Sequence, residues 1–317
     1  MEIPRRLSAK EFERMRERQT LPEVARQSPI AERPAPPPRP RDPVLAALPD
    51  SPGRTTAVVE ANALANSPIG ELLLACARRG AKDPIEEIKE SSGVDVLKDL
   101  DRVAISGKTV LLSGQFGALK WEAASSSYGE KGAIYLAGSS DGAGRDSYLA
   151  RWGDQMMLVG DSEEELKAAI DRIEGRAPKG TPAIDESSTY GEVYGVLGND
   201  LIEEILGKEQ PELARHLQEA AQSIELHVSA MGDVGLSARV EGTDSQKVTD
   251  LAKSLGAALS LARLKAQADG DQELSELLDY AKVSASGDHF AVELALPMAF
   301  MEKHLAFCRQ PWTPDAN

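Results

Sequence analysis

Four histidines occur in the chain, His216, His227, His289 and His304, and two of them stand where metal or acid–base chemistry could be assembled. His227 and His289 fall on the polar side of alternating segments, with Glu225 two residues before the first and Glu293 four residues after the second. If those segments are neighbouring strands, two imidazoles and two carboxylates converge as a metal or acid–base site. Sharing one metal requires the rings within about 8 Å, because its bonds are near 2 Å. The competing reading, ordinary polar residues on a solvated sheet face, is the one adopted, so no metal and no cofactor are expected. His216 and His304 lie in helical segments, and no H-E-x-x-H and no i,i+4 histidine pair is present.

Other fragments imitate chemistry without its geometry. SGKT, Ser106 to Thr109, copies the end of a phosphate loop, yet Arg102 stands where that loop needs Gly, and the following TVLLSG is strand-like. A hairpin turn is expected there. ADGDQELSE, Ala268 to Glu276, spaces acids like the start of a calcium loop but has Leu274 where the turn needs Gly, so it reads as a break between helices. In VGDSEEELKAAIDRIEG the helix opens on Glu163, Glu164 and Glu165, which would repel a phosphate. Ser162 with Glu165 instead makes a capping box, and Gly175 sits where the helix ends. GSSDGAG, without a following helix, reads as a hairpin connection. No nucleophile elbow, Cys/His pairing or dinucleotide fingerprint occurs, and no catalytic residue is assigned.

The elements around these residues repeat. ARWGDQMMLVGDSEEELKAAI lines up with SASGDHFAVELALPMAFMEKHL, Gly153-Asp154 against Gly287-Asp288, at an offset of 134. RVAISGKTVLLSGQFG pairs with ELHVSAMGDVGLSARVEG, each a hairpin whose second strand reaches a Gly before a helix (Gly117; Gly242). TTAVVEANALANSPIGELL pairs with TYGEVYGVLGNDLIEEIL, strand then capped helix, with Ser67 before Pro68 in one and Asn199 in the other. The fold class expected is α+β: two tandem β-α-β-β-α-β-β-α repeats, mainly antiparallel, with helices on one face. The boundaries are 1–50 for a basic proline-rich arm, 51–180 and 181–310 for the repeats, and 311–317 for a flexible end. The first repeat gains a helix at Asp83-Pro84, and the second has long helices, Leu201 to Ala221 and Ser245 to Gln267. Strand alternation is clean in the second repeat; a three-residue turn at Met231 to Asp233 would place Glu225 across from Arg239 and His227 across from Ser237.

Composition bounds the partners. Of 36 Lys and Arg, ten lie in residues 1–43 with seven of the 51 Asp and Glu, so the remainder carries 26 against 44, a net −18. A body this acidic is not expected to bind nucleic acid. No apolar window is long enough to span a membrane, and Met1 is not followed by a secretory signal, so a cytoplasmic location is expected. Cys76 lies in the apolar run LLLACA and forms no motif with Cys308; a buried free thiol is expected rather than a disulfide. Nine of the 19 prolines fall in residues 1–43, which read as a disordered arm with one fluctuating helix. Its candidate partner-binding residues are Leu7, Phe12 and Met15 on the helix side, and Pro37, Arg39, Pro40 and Arg41 in the PxxP stretch.

LPDSPGRTTAVVEANALANSPIGELL, DLDRVAISGKTVLLSGQFG and YLARWGDQMMLVGDSEEELKAAIDRIEG together resemble uncharacterised duplicated bacterial α+β proteins, commonly exported or lipid-anchored. The resemblance covers residues 48–176 and extends to the second repeat by pattern. It implies the fold and no active site, and it implies export, whereas an Arg/Pro-rich arm stands here in place of a signal.

Three functions are carried forward. The first is a non-enzymatic interaction or scaffold protein whose acidic body is addressed to a protein partner by residues 1–43. The second is a small-molecule or lipid-binding protein, or an enzyme, using a cleft between the repeats. The third is an envelope-associated protein.

Overall fold

The structure is a computed structural model of the 317-residue chain. It describes residues 42–309 apart from 50–53, 80–82, 118, 120–125, 140–145, 179, 181 and 209. The arm residues Leu7, Phe12, Met15, Pro37, Arg39, Pro40 and Arg41, most of the Gly/Ser loop and the C-terminal end lie outside the described residues.

A short helix, α1 (Pro43–Ala47), leads into β1 (Thr56–Val59), α2 (Ala61–Ala65), α3 (Pro68–Ala77) and α4 (Pro84–Ser92). Then come β2 (Leu100–Ser106), β3 (Thr109–Gly114), β4 (Ser126–Tyr128), β5 (Gly132–Ser139), β6 (Asp146–Trp152), β7 (Met156–Gly160) and α5 (Glu163–Ile173). The second half runs β8 (Val193–Leu197), α6 (Asn199–Leu206), α7 (Pro211–Ala220), β9 (Ser223–Ser229), β10 (Val234–Glu241), α8 (Ser245–Asp269) and α9 (Gln272–Asp279). It ends with β11 (Ala281–Ser286), β12 (His289–Leu296), α10 (Met298–His304) and a 3-10 turn over Ala306–Arg309.

Helix starts follow the side chains that can satisfy orphan amides. Ser67 Oγ accepts from Gly70 N at 3.0 Å, Asp83 from Ile85 N at 2.9 Å and Asp271 from Leu274 N at 3.0 Å. Ser162 Oγ accepts from Glu165 N at 3.3 Å, but the box is not reciprocal, because Glu165 Oε2 takes the Thr109 hydroxyl instead, at 3.1 Å. The cap of α6 is Gly198 rather than Asn199, and Asp200 binds back to Thr55 Oγ1 at 2.6 Å. The long helix expected from Leu201 to Ala221 is broken into α6 and α7 ahead of Pro211, whose ring suits a first helical position.

All strands among the described residues form one antiparallel twelve-stranded sheet, in the order β11-β12-β10-β9-β8-β1-β2-β3-β7-β6-β5-β4. The two halves meet at the β1–β8 ladder, Thr56 to Val59 against Val196 to Val193. Outward from that seam one reads β1, β2, β3, β7, β6 in one direction and β8, β9, β10, β12, β11 in the other. The order is therefore mirrored for every strand pair matched in sequence. The paired turn glycines Gly153 and Gly287 both adopt the left-handed region, at φ +59° and +64°, which only glycine enters freely. The match fails at one place: the helix expected after Gly117 is not found among the described residues, and β4 and β5 add two strands there instead. Their tight connection turns on Gly129, at φ +69°.

One row of directly opposed residues crosses eleven strands: Ile134, Ala150, Leu158, Leu111, Ala104, Val58, Tyr194, His227, Ser237, Glu293 and Lys282. Directly opposed side chains in an antiparallel ladder share a face. That face is therefore apolar in the first half, where Val44, Leu45, Leu48, Leu166 and Ile170 of the α1 and α5 regions bury it. Beyond Tyr194 it is polar. In the second half the buried cluster lies on the opposite face, where Ile202, Ala214, Val248 and Leu251 of α6, α7 and α8 pack on Ile224, Val240 and Phe290. The face covered by α1 and α5 in the first half is thus opposite to the face covered by α6, α7 and α8 in the second. A third cluster joins Ile69 and Leu72 of α3 to Ala230, Val234, Met298, Met301 and Leu305.

Cys76 and Cys308 are joined by a disulfide, which corrects the expectation of a buried free thiol. The apolar run around Cys76 packs α3 near the C-terminal turn, where Cys308 is 3% exposed, and 232 residues separate the partners. Sequence spacing carries no signal for a contact of that range.

Candidate functional site

Two of the concavities on the face that carries the long row hold residues that could do chemistry. The first, about 370 Å³, is lined by Tyr190, His227, Ser229, Ser237, Glu293 and Leu294, among others. β9 and β10 pair in the register expected from their turn, Glu225 opposite Arg239 and His227 opposite Ser237. His227 was expected on a solvated face and is only 4% exposed. The cover is Tyr190, whose ring stacks on the imidazole with centroids 3.7 Å apart and planes at 7°. Nδ1 lies 3.3 Å from the Tyr190 carbonyl, and Nε2 has no hydrogen-bond partner among the described residues, standing 3.9 Å from Glu225 Oε2. Ser188 donates to the other Glu225 oxygen at 3.2 Å.

The four candidate residues do not converge. His289 is opposite Glu241, so it stands two strands across and four residues along from His227, roughly 16 Å by strand geometry. Its Nδ1 meets Asp288 at 3.1 Å. Glu293 shares the His227 row but two strands away, about 10 Å. Only Glu225 is close to His227. The fold therefore does not assemble the candidate set of His227, His289, Glu225 and Glu293, and no group of three or more residues placed to hold a metal occurs among the described residues.

The second concavity, about 550 Å³, lies in the first half between α1 and the ends of β2, β3 and β7. Asp42, Asp101, Arg102, Gln115, Trp152 and Asp154 are among its lining residues. Asp42 uses one oxygen to cap α1 at Val44 N, 2.9 Å, and the other to hold Arg102 Nη1 at 2.6 Å. Glu60 approaches the same guanidinium at 3.7 Å and accepts the Tyr194 hydroxyl at 2.8 Å. Burial alone would lower the Arg102 pKa, but the bond to Asp42 and the charge of Glu60 outweigh it and raise it. Burial, then the bond to Glu60, push the Tyr194 phenol far above its ordinary value, so it remains a neutral donor.

Trp152 is fixed from behind by Glu174, which accepts its indole N–H at 3.0 Å, the amides of Glu130 and Lys131 at 3.0 and 3.2 Å, and an ion pair from Arg176. Sequence reasoning missed this second concavity. Its members come from four separate segments, and the one local signal, an Asp before Pro43 as a helix cap, predicts the cap and nothing of Arg102.

Among the described residues no helix is long and apolar enough to cross a membrane. No family model matches the chain, and no curated protein matches it. Among solved structures it is similar to crystal form I of TP0453, at 11% identity and a TM-score of 0.43, over 84% of this chain and 97% of that one.

Proposed function

We propose that this is a non-enzymatic interaction protein, an acidic α+β body that presents wide sheet surfaces and is addressed to a protein partner by its Arg/Pro-rich N-terminal segment. The observation that carries this reading is the β1–β8 ladder. It joins the halves edge to edge, so hydrogen-bonded backbone and the buried Tyr194 occupy the position where a ligand cleft between repeats would lie. The mirrored strand order supports two copies of one ancestral unit kept for shape. The reverse face of the first half supports a docking role: Val103, Val110, Leu112, Met157 and Val159 are only half-buried there and Ile105 is 44% exposed. With 44 acids against 26 bases beyond residue 43, nucleic acid is not the partner proposed.

The test is affinity capture from native extract with the intact chain and with a chain lacking residues 1–40. The cut stops short of Asp42, which caps α1 and holds Arg102. A partner retained by the intact chain and lost by the truncated one, at unchanged melting temperature, supports the reading. Equal capture by both overturns it.

The Cys76–Cys308 disulfide favours a second reading on location: the chain works in an oxidising compartment such as the cell envelope, because disulfides of this kind persist there and are rare in the cytosol. Fractionation with thiol trapping checks it; both cysteines reduced in protein taken from its native compartment would remove the idea.

A further inference from the structure

We infer that the concavity beside Trp152 binds a small organic cation. It is bounded on one side by Trp152 and on others by Asp42, Asp101 and Asp154, with Arg102 the one basic residue among the described residues that line it. That guanidinium is already neutralised, by Asp42 at 2.6 Å and Glu60 at 3.7 Å, so it offers no free positive charge to an anion. The carboxylates of Asp101 and Asp154 remain; the Asp154 side chain is 70% exposed and among the described residues meets one cation, Arg151, at 3.7 Å. The balance over the described lining residues is negative.

The backbone is shaped to produce this. Consecutive strand residues ordinarily face opposite sides, yet Asp101 and Arg102 line the same cavity. The β2–β3 register shifts between Leu100 and Arg102, leaving Asp101 without a partner residue, and a bulge of this kind re-aims a side chain. Gly114 opposite the bulge is required by close approach: a Cβ there would lie 1.9 Å from the Asp99 carbonyl oxygen.

An aromatic wall with carboxylates around it is the chemistry that recognises ammonium groups, through the negative face of the ring and through direct charge. The ring of Trp152 already attracts one cation, Lys131 Nζ at 5.2 Å from its centroid. The strongly acidic body adds long-range attraction for cations and none for anions.

Isothermal titration calorimetry of the full chain with spermidine, with choline and with glutarate tests this. Spermidine or choline is expected to bind at one site, with the Trp152 indole resonance shifting, and glutarate is not. Binding by choline alone places the recognition on the ring, and by spermidine alone on the two carboxylates. Asp101→Asn and Asp154→Asn, both at exposed positions, should each weaken binding about tenfold with no change in melting temperature. No heat with either cation at millimolar concentration, or binding untouched by both substitutions, overturns the proposal.

Discussion

Tyr190 lies flat on His227, and its backbone carbonyl faces Nδ1 of the same imidazole, so one residue both covers and orients the histidine. The ring that provides the cover is itself 57% exposed. Tyr190→Ala is expected to bring His227 into contact with solvent and to destabilise the protein by about 1 kcal/mol, the usual worth of a stacked pair. Urea unfolding gives the energy, and the His227 ring signals in NMR report the exposure. Unchanged His227 signals would show that the stack is not what shields it.

The disulfide should dominate the response to reductant. Replacing both Cys76 and Cys308 by Ser removes a link across 232 residues and is expected to cost about 3 kcal/mol, judged from the range for long loops. Reductant should lower the urea midpoint of the natural chain and leave that of the double variant in place.

Acid sensitivity should centre on Glu174. Burial alone would raise its carboxyl, but the amides of Glu130 and Lys131, the Trp152 indole and Arg176 outweigh that and hold it below its ordinary 4.5. A depressed carboxylate stabilises the fold above its unfolded value, and that contribution disappears as pH falls through the lower folded value. Glu174→Gln should therefore be less stable than the natural chain at neutral pH and show a flatter decline below pH 4.5. Urea midpoints across that range decide it; parallel curves for the two proteins would count against the account.

Two glycines should respond in opposite senses. A Cβ on Gly195 would fall 2.3 Å from the Thr56 carbonyl oxygen in the β1–β8 seam, so Gly195→Ala should destabilise by about 2 kcal/mol or more. Gly256 lies mid-helix in α8 with nothing within 4 Å of a Cβ, so Gly256→Ala should stabilise by roughly 0.5–1 kcal/mol. Thermal denaturation of the two variants side by side checks both signs.

What could be read from sequence was what local chemistry decides. Ser67, Asp83 and Asp271 cap helices because their oxygens reach amides two or three residues on. The β9–β10 register follows from alternation and a short turn. The α+β class was legible for the same reason. His227 shows the limit: alternation puts it on the polar face, but the cover supplied by Tyr190 comes from a connection 37 residues earlier. Asp42 with Arg102, Tyr194 with Glu60, and Cys76 with Cys308 join segments 60, 134 and 232 residues apart, and nothing in their spacing announces them. Reading one half against the other misled at Gly117, because β4 and β5 follow it and no counterpart of α8 is found there among the described residues.

Joined at Cys76 and Cys308, the stretch of chain from α3 to the C-terminal turn is a covalent ring that contains eleven of the twelve strands. A protease that cuts once within that ring severs the backbone without releasing a fragment. The nicked molecule would migrate as one species on a denaturing gel until reductant is added, and would then separate into two.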